Sequence, residues 1–151
     1  MAISRLLFPL LVASGLANAA PESLFDGKSL EGWEGNTKVW RVEDGAITGG
    51  SMEGNAQNEF LTTKKSYKNF ILRLEYKLVG TEGFVNGGVQ FHSKRTEKPA
   101  NEMIGYQADI GGGYSGCLNN EVRKPQFLGV ADRRLVASLG KPGEWDPYEI
   151  R

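Results

Sequence analysis

The sequence predicts an all-β domain, on three observations. Twenty glycines fall among short apolar alternations in a chain of 151 residues, a pattern of many turns joining short strands. No window carries the apolar spacing of a long helix. From Asn69 to Val79, Phe70, Leu72, Leu74, Tyr76 and Leu78 alternate with Ile71, Arg73, Glu75 and Lys77. A period of two sets one side of a strand against a core and the other against water.

Each element can be justified in chain order. Arg5, the apolar run Leu6 to Leu16 and Ala17-Asn18-Ala19 have the charged, apolar and small-residue order of a secretory signal peptide. Residues 1–19 are therefore expected to be removed after Ala19 or Ala20, leaving an exported protein, periplasmic or secreted. The run is too short for a membrane span, which needs about 20 apolar residues, and no other run approaches that length. Residues 20–151 have a length suited to one domain with its own core.

Next, Asp44-Gly45 lies between Val39-Trp40-Arg41-Val42 and Ala46-Ile47. Because this dipeptide favours the positive φ angles of a tight turn, a hairpin is expected at about 38–49. After the strand at 69–79, Gly88 to Ser93 sets Val89 and Phe91 against Gln90 and His92, and Ile104 to Ile110 sets Tyr106, Ala108 and Ile110 against Gln107 and Asp109. Two neighbouring strands would thus carry polar rows. The Arg-rich, Pro-containing segment Glu121 to Gly143 reads as a long loop, and Trp145 to Arg151 starts another strand. A sandwich closes its core and covers its edges with further strands, so the expectation is a domain truncated at its C-terminus.

Charge is balanced at 18 Lys+Arg against 18 Asp+Glu, which gives no electrostatic case for nucleic acid or an anionic membrane surface. Cys117 is the only cysteine, so no intramolecular disulfide can form. Gly111 to Gly113 lack the following helix that a phosphate-cradling loop requires, and no nucleophile elbow is present. Nor does any motif mark the paired carboxylates, about 5 to 10 Å apart, of ordinary glycosidases.

LFDGKSLEGW at Leu24 to Trp33 and VWRVEDGAITGG at Val39 to Gly50 resemble the opening of the 3-keto-disaccharide hydrolase family. NEFLTTKKSYKNFILRLEYKL, FVNGGVQFHSKR and GYQADIGGGY continue the resemblance in the same order, and WDPYEIR at Trp145 to Arg151 resembles the family's WxxYEI strand. The resemblance covers essentially residues 20–151. It implies a concanavalin-like jelly-roll β-sandwich, exported, acting on an oxidised (3-keto) sugar, with several strands after WxxYEI. This chain departs from the family pattern at His92, where relatives have Arg, at Ser115, where they have an aromatic, and at Asn119-Asn120, where they have Tyr-Asp before a Glu.

A 3-keto sugar has an acidic hydrogen at C2, because the ketone delocalises the charge left when that proton is removed. Cleavage by elimination needs a base near C2, a donor to the ketone oxygen and an acid for the leaving group. The resemblance and the polar rows together point to His92, Asp109 and Glu121 as acid/base groups, with Gln90, Gln107, Glu75 and Tyr106 contacting the sugar. His92, the sole histidine, is a base or metal ligand, or an exposed strand residue. Gln107 and Asp109, two apart on one strand face, could hold one sugar or one divalent metal ion, or form a solvated face. Glu75, between Arg73 and Lys77, reads equally as part of a cross-strand charge ladder, and Glu121 as a loop cap. Trp33 and Trp40 could stack on sugar rings, but tryptophan in a sandwich is usually core. A non-catalytic carbohydrate-binding module on the same scaffold is the alternative.

Overall fold

The computed structural model describes residues 20–151 apart from positions 81, 101 and 142; the expected signal peptide lies outside the described residues. The fold is all-β, built from antiparallel strands with one short helix, as a sandwich requires. In chain order the strands are β1 (Trp33–Glu34), β2 (Trp40–Glu43), β3 (Ala46–Gly49), β4 (Thr62–Thr63), β5 (Leu72–Tyr76), β6 (Asn86–Arg95), β7 (Met103–Gly111), β8 (Leu118–Glu121) and β9 (Phe127–Gly129). The helix α1 (Arg133–Leu139) follows, then β10 (Asp146–Ile150). β6, β7, β8 and β9 form a four-stranded sheet in that order, and β5 pairs with β10, β2 with β3 and β1 with β4.

The hairpin at 38–49 forms where the sequence places it. Asp44 and Gly45 sit at φ 49° and 74°, a pair of left-handed residues that matches the twist of the flanking strands. The Trp40 ring lies over Gly49, whose absent Cβ would come within 2.5 Å of it, so this indole packs on its own hairpin. Trp33 is held by its indole N–H, which donates to the Leu24 carbonyl at 2.8 Å.

The strand expected over Asn69 to Val79 is shorter, Leu72 to Tyr76. Its pairing partner β10 supplies only five residues, from Asp146 opposite Tyr76 to Ile150 opposite Leu72. Asn69 has a left-handed φ of 51°, and Ile71 and Val79 are exposed. Within β5 the alternation holds: Leu72, Leu74 and Tyr76 are half-buried while Arg73 and Glu75 face water. On β10, Ile150 is buried, and the Tyr148 ring meets Tyr76 edge-on at 5.7 Å.

The loop expected between Glu121 and Gly143 contains β9 and α1 instead. Asp132 caps the helix by accepting from the backbone N–H of Arg134 and Leu135, which satisfies two of the donors a helix start leaves open. Seven residues with no buried side chain are too short for a helical period to show in the sequence.

The apolar core centres on Met103, Ile110, Cys117 and Ile150. Cys117 is a buried free thiol whose sulfur accepts from the Ala131 N–H. The Tyr148 hydroxyl donates to the Asp109 carbonyl at 3.0 Å and so ties β10 to β7. Among the described residues no helix is long and apolar enough to cross a membrane.

Candidate functional site

Register, more than chain order, assembles the site. Side chains directly opposite one another across antiparallel strands point to the same side of a sheet. Gln90 on β6 is opposite Gln107 on β7, and Gln107 is opposite Asn119 on β8. Three amides therefore form a row across three strands, spaced by the ~4.8 Å between neighbouring strands. By the same parity Asp109, opposite Gly88, and Glu121, opposite Gly105, share that face. The carboxylates flank the row, one on either side along the strand direction, with four residues of β7 or roughly 13 Å of strand between their positions.

Two glycines make the face usable. A Cβ on Gly88 would lie 2.6 Å from Gln107 Cγ, so the Gln107 side chain lies across β6 where only glycine leaves room. From there its amide nitrogen donates to Asp109 Oδ1 at 2.7 Å. Gly105 faces Ser93, whose Cβ is 2.2 Å from where a Cβ on Gly105 would stand.

Asp109 is 3% exposed, and this burial raises its carboxyl above the ordinary aspartate range, partly offset by the Gln107 hydrogen bond. Glu121 is raised as well, first by burial, then by the negative charges of Glu102 and Asp109. The Asn119 amide N–H donates weakly to Glu121 at 3.4 Å. Both polar atoms of the Gln90 amide and the carbonyl oxygen of Asn119 are buried with no hydrogen-bond partner. Such orphaned groups cost about 1–3 kcal/mol each, and they cluster on one face beside two carboxyls whose proton affinity is raised. The arrangement can accept and release protons at two points and hydrogen-bond an uncharged, hydroxyl-rich ligand between them.

The remaining sequence candidates stand elsewhere. His92 was expected on the face of Gln90, but a bulge between Phe91 and Lys94 interrupts the register there, and His92 takes a left-handed φ of 47°. An extra residue in one strand reverses the side on which side chains emerge. The His92 ring consequently stands 6.1 Å from Phe91 and 6.2 Å from Tyr106. Tyr106 lies on the opposite side of β7 from Gln107 and carries the Arg123 guanidinium 5.1 Å from its ring centre. Glu75 is on the outer side of the β5–β10 ribbon, beside the Arg73–Glu149 ion pair.

The site residue that sequence reasoning missed is Asn119, together with the glycines opposite the carboxylates. Gln107 and Asp109, expected to hold one sugar or one cation, are joined to each other, since the Gln107 amide donates to Asp109. Among the described residues no three of His, Cys, Asp and Glu converge to hold a metal ion.

Comparison with known proteins follows the same direction. The family model for a 3-keto-alpha-glucoside-1,2-lyase-like domain matches residues 20–151. A protein named 3-keto-disaccharide hydrolase from Bacteroides thetaiotaomicron is 31% identical over 150 residues, an alignment covering 85% of this chain and 51% of that protein. The chain thus spans about half the length of this curated relative.

Proposed function

We propose, since this chain belongs to the 3-keto-alpha-glucoside-1,2-lyase-like domain family, that its amide face cleaves 3-keto-glycosides by elimination followed by addition of water. The observation that carries the reading is the pair of carboxyls with raised proton affinity, Asp109 buried and Glu121 half-buried, set on either side of one row of amides. The name of the Bacteroides relative supports the same substrate class.

Glu121 takes the proton from C2 of the keto sugar, and the electrons of the C2–H bond pass into the enolate of the C3 ketone. Amides of the row donate to that oxygen as its charge develops. The enolate then expels the glycosidic oxygen from C1, forming a C1=C2 double bond, while Asp109 supplies the proton that makes the leaving group an alcohol. Water adds across the double bond, hydroxyl to C1 and hydrogen to C2, so the net change is hydrolysis. The nearly complete burial of Asp109 suits the acid, since desolvation keeps its proton on. Glu121, half-buried, suits the base, because a raised pKa strengthens its pull on the C2 proton.

The acid/base chemistry is assigned to the two carboxyls, with His92 outside it, because the bulge turns the imidazole toward Phe91 and Tyr106. The charged, apolar and small-residue order of residues 1–19 supports export of the domain. The test is incubation of the full chain with a 3-keto-disaccharide and its unoxidised parent. Cleavage of the keto form alone is expected, reduced by about 10² to 10⁴ in Asp109→Asn and Glu121→Gln and little changed in His92→Ala. Cleavage of both sugars alike, or a loss in His92→Ala as large as in the carboxyl variants, would refute the assignment. Binding of both sugars without cleavage would make the domain a carbohydrate-binding module.

A further inference from the structure

The amide row does not stop at Asn119. Phe127 on β9 is the register partner of Asn119, next to a register shift between Leu118 and Asn119, and brings an aromatic ring to the β9 end of the row. The Tyr114 ring stacks on Phe127, with centres 5.3 Å apart and planes 17° from parallel. Phe84 in turn meets Tyr114 at 6.3 Å, and the Arg133 guanidinium lies 5.8 Å from the Tyr114 ring centre. Tyr114 is therefore held from several directions. Phe84, 67% exposed, is the ring that presents itself to solvent.

The position of Phe84 is set by Gly112. A Cβ there would lie 2.5 Å from the Phe84 ring, so a side chain at position 112 would push the ring away. Gly112 follows Asp109 by three residues, which brings the ledge of Phe84, Tyr114 and Phe127 to the Asp109 end of the site. A large, exposed aromatic backed by two others has no folding reason to stay in water, where burying it would gain about 1.5–3 kcal/mol. Aromatic faces suit the C–H side of a pyranose, and the neighbouring amides suit its hydroxyls.

We infer that the Phe84–Tyr114–Phe127 ledge is the subsite for the leaving sugar, with Phe84 the ring it rests on; this rests on the reading of the amide face above, in which Asp109 protonates the leaving group. The ledge makes the domain prefer a glycoside whose aglycone is itself a ring over one carrying a methyl group. Remote binding energy of this kind is used at the reacting centre, so the preference extends to kcat/KM.

The experiment compares wild type, Phe84→Ala and Phe84→Trp in two assays. The first measures the affinity of the full chain for an unoxidised glucosyl disaccharide and for methyl glucoside. The second measures kcat/KM on the corresponding 3-keto forms. In Phe84→Ala the disaccharide preference is expected to fall about tenfold, equivalent to about 1.4 kcal/mol. Values for the methyl compounds should stay within twofold of wild type, which also reports an intact fold. Phe84→Trp should keep the preference. If Phe84→Ala leaves the disaccharide-to-methyl ratio unchanged, or wild type has no such preference, the inference is overturned. A Phe84-dependent binding preference in a chain that cleaves neither keto substrate would sustain the ledge while removing the catalytic reading.

Discussion

Replacing Gly88 with alanine should cost more than a surface glycine normally does, because the cost is passed through Gln107 to Asp109. The new Cβ would stand 2.6 Å from Gln107 Cγ, 2.7 Å from its Cδ and 3.0 Å from the Ala108 carbonyl oxygen. Carbon atoms in favourable contact are about 3.5–4.0 Å apart, so the overlap approaches 1 Å. Overpacking of this kind costs about 1–3 kcal/mol. Relief by swinging Gln107 aside breaks its 2.7 Å bond to Asp109 and strands a buried carboxyl, at about 1–3 kcal/mol. At least one penalty applies, so Gly88→Ala should lose about 1–3 kcal/mol, and more where both apply. In a Gln107→Ala background the two closest carbons are gone and only the Ala108 oxygen remains near, so the same change should cost less than about 1 kcal/mol. Urea unfolding of wild type, both single variants and the double variant closes the cycle. A coupling energy above about 1 kcal/mol is expected, whereas additivity within about 0.5 kcal/mol would refute the geometry assigned to Gln107.

Other consequences are equally direct. Gly105→Ala should be the most disruptive alanine substitution on the face, because its Cβ would meet Ser93 Cβ at 2.2 Å and Ser93 Cα at 2.7 Å; a thermal midpoint within a few degrees of wild type would contradict the close approach of β6 and β7. Gly45→Ala places a Cβ at φ 74° in the hairpin turn, for an expected loss of about 1–2 kcal/mol in the urea midpoint, with little effect on sugar binding. Asp109 and Glu121 have raised folded pKa values. Their contribution to stability is therefore fully present below their unfolded pKa values, near 4, and is lost as pH rises through the raised folded values. Asp109→Asn should flatten that fall in a series of urea midpoints against pH; an unchanged slope would mean that Asp109 is not desolvated.

What could be read from the sequence was what depends on near neighbours. The Asp44-Gly45 hairpin was legible because two adjacent residues dictate its backbone, and the sides of β5 because alternation is local. The polar faces of β6 and β7 were also visible as Gln90, Gln107 and Asp109. Their union with Asn119 was not, because pairing of β7 with β8 depends on a turn at Gly111 to Cys117 whose length no period reveals. His92 illustrates the opposite failure: strict alternation puts it beside Gln90, and a single bulge residue turns it away. Helix α1 was hidden because its cap, Asp132, precedes only seven helical residues, of which Val136 alone is half-buried.

The most direct test of the central claim is to run the cleavage of a 3-keto-disaccharide in heavy water and locate deuterium in the first-formed keto sugar, beside authentic product incubated alone. Removal of the C2 proton and readdition of water predicts one deuterium at C2 beyond the control in the wild-type product, with the rate of its appearance falling together with cleavage in Glu121→Gln. Cleavage that leaves the original hydrogen at C2, or that proceeds at the wild-type rate in Glu121→Gln, would contradict the account.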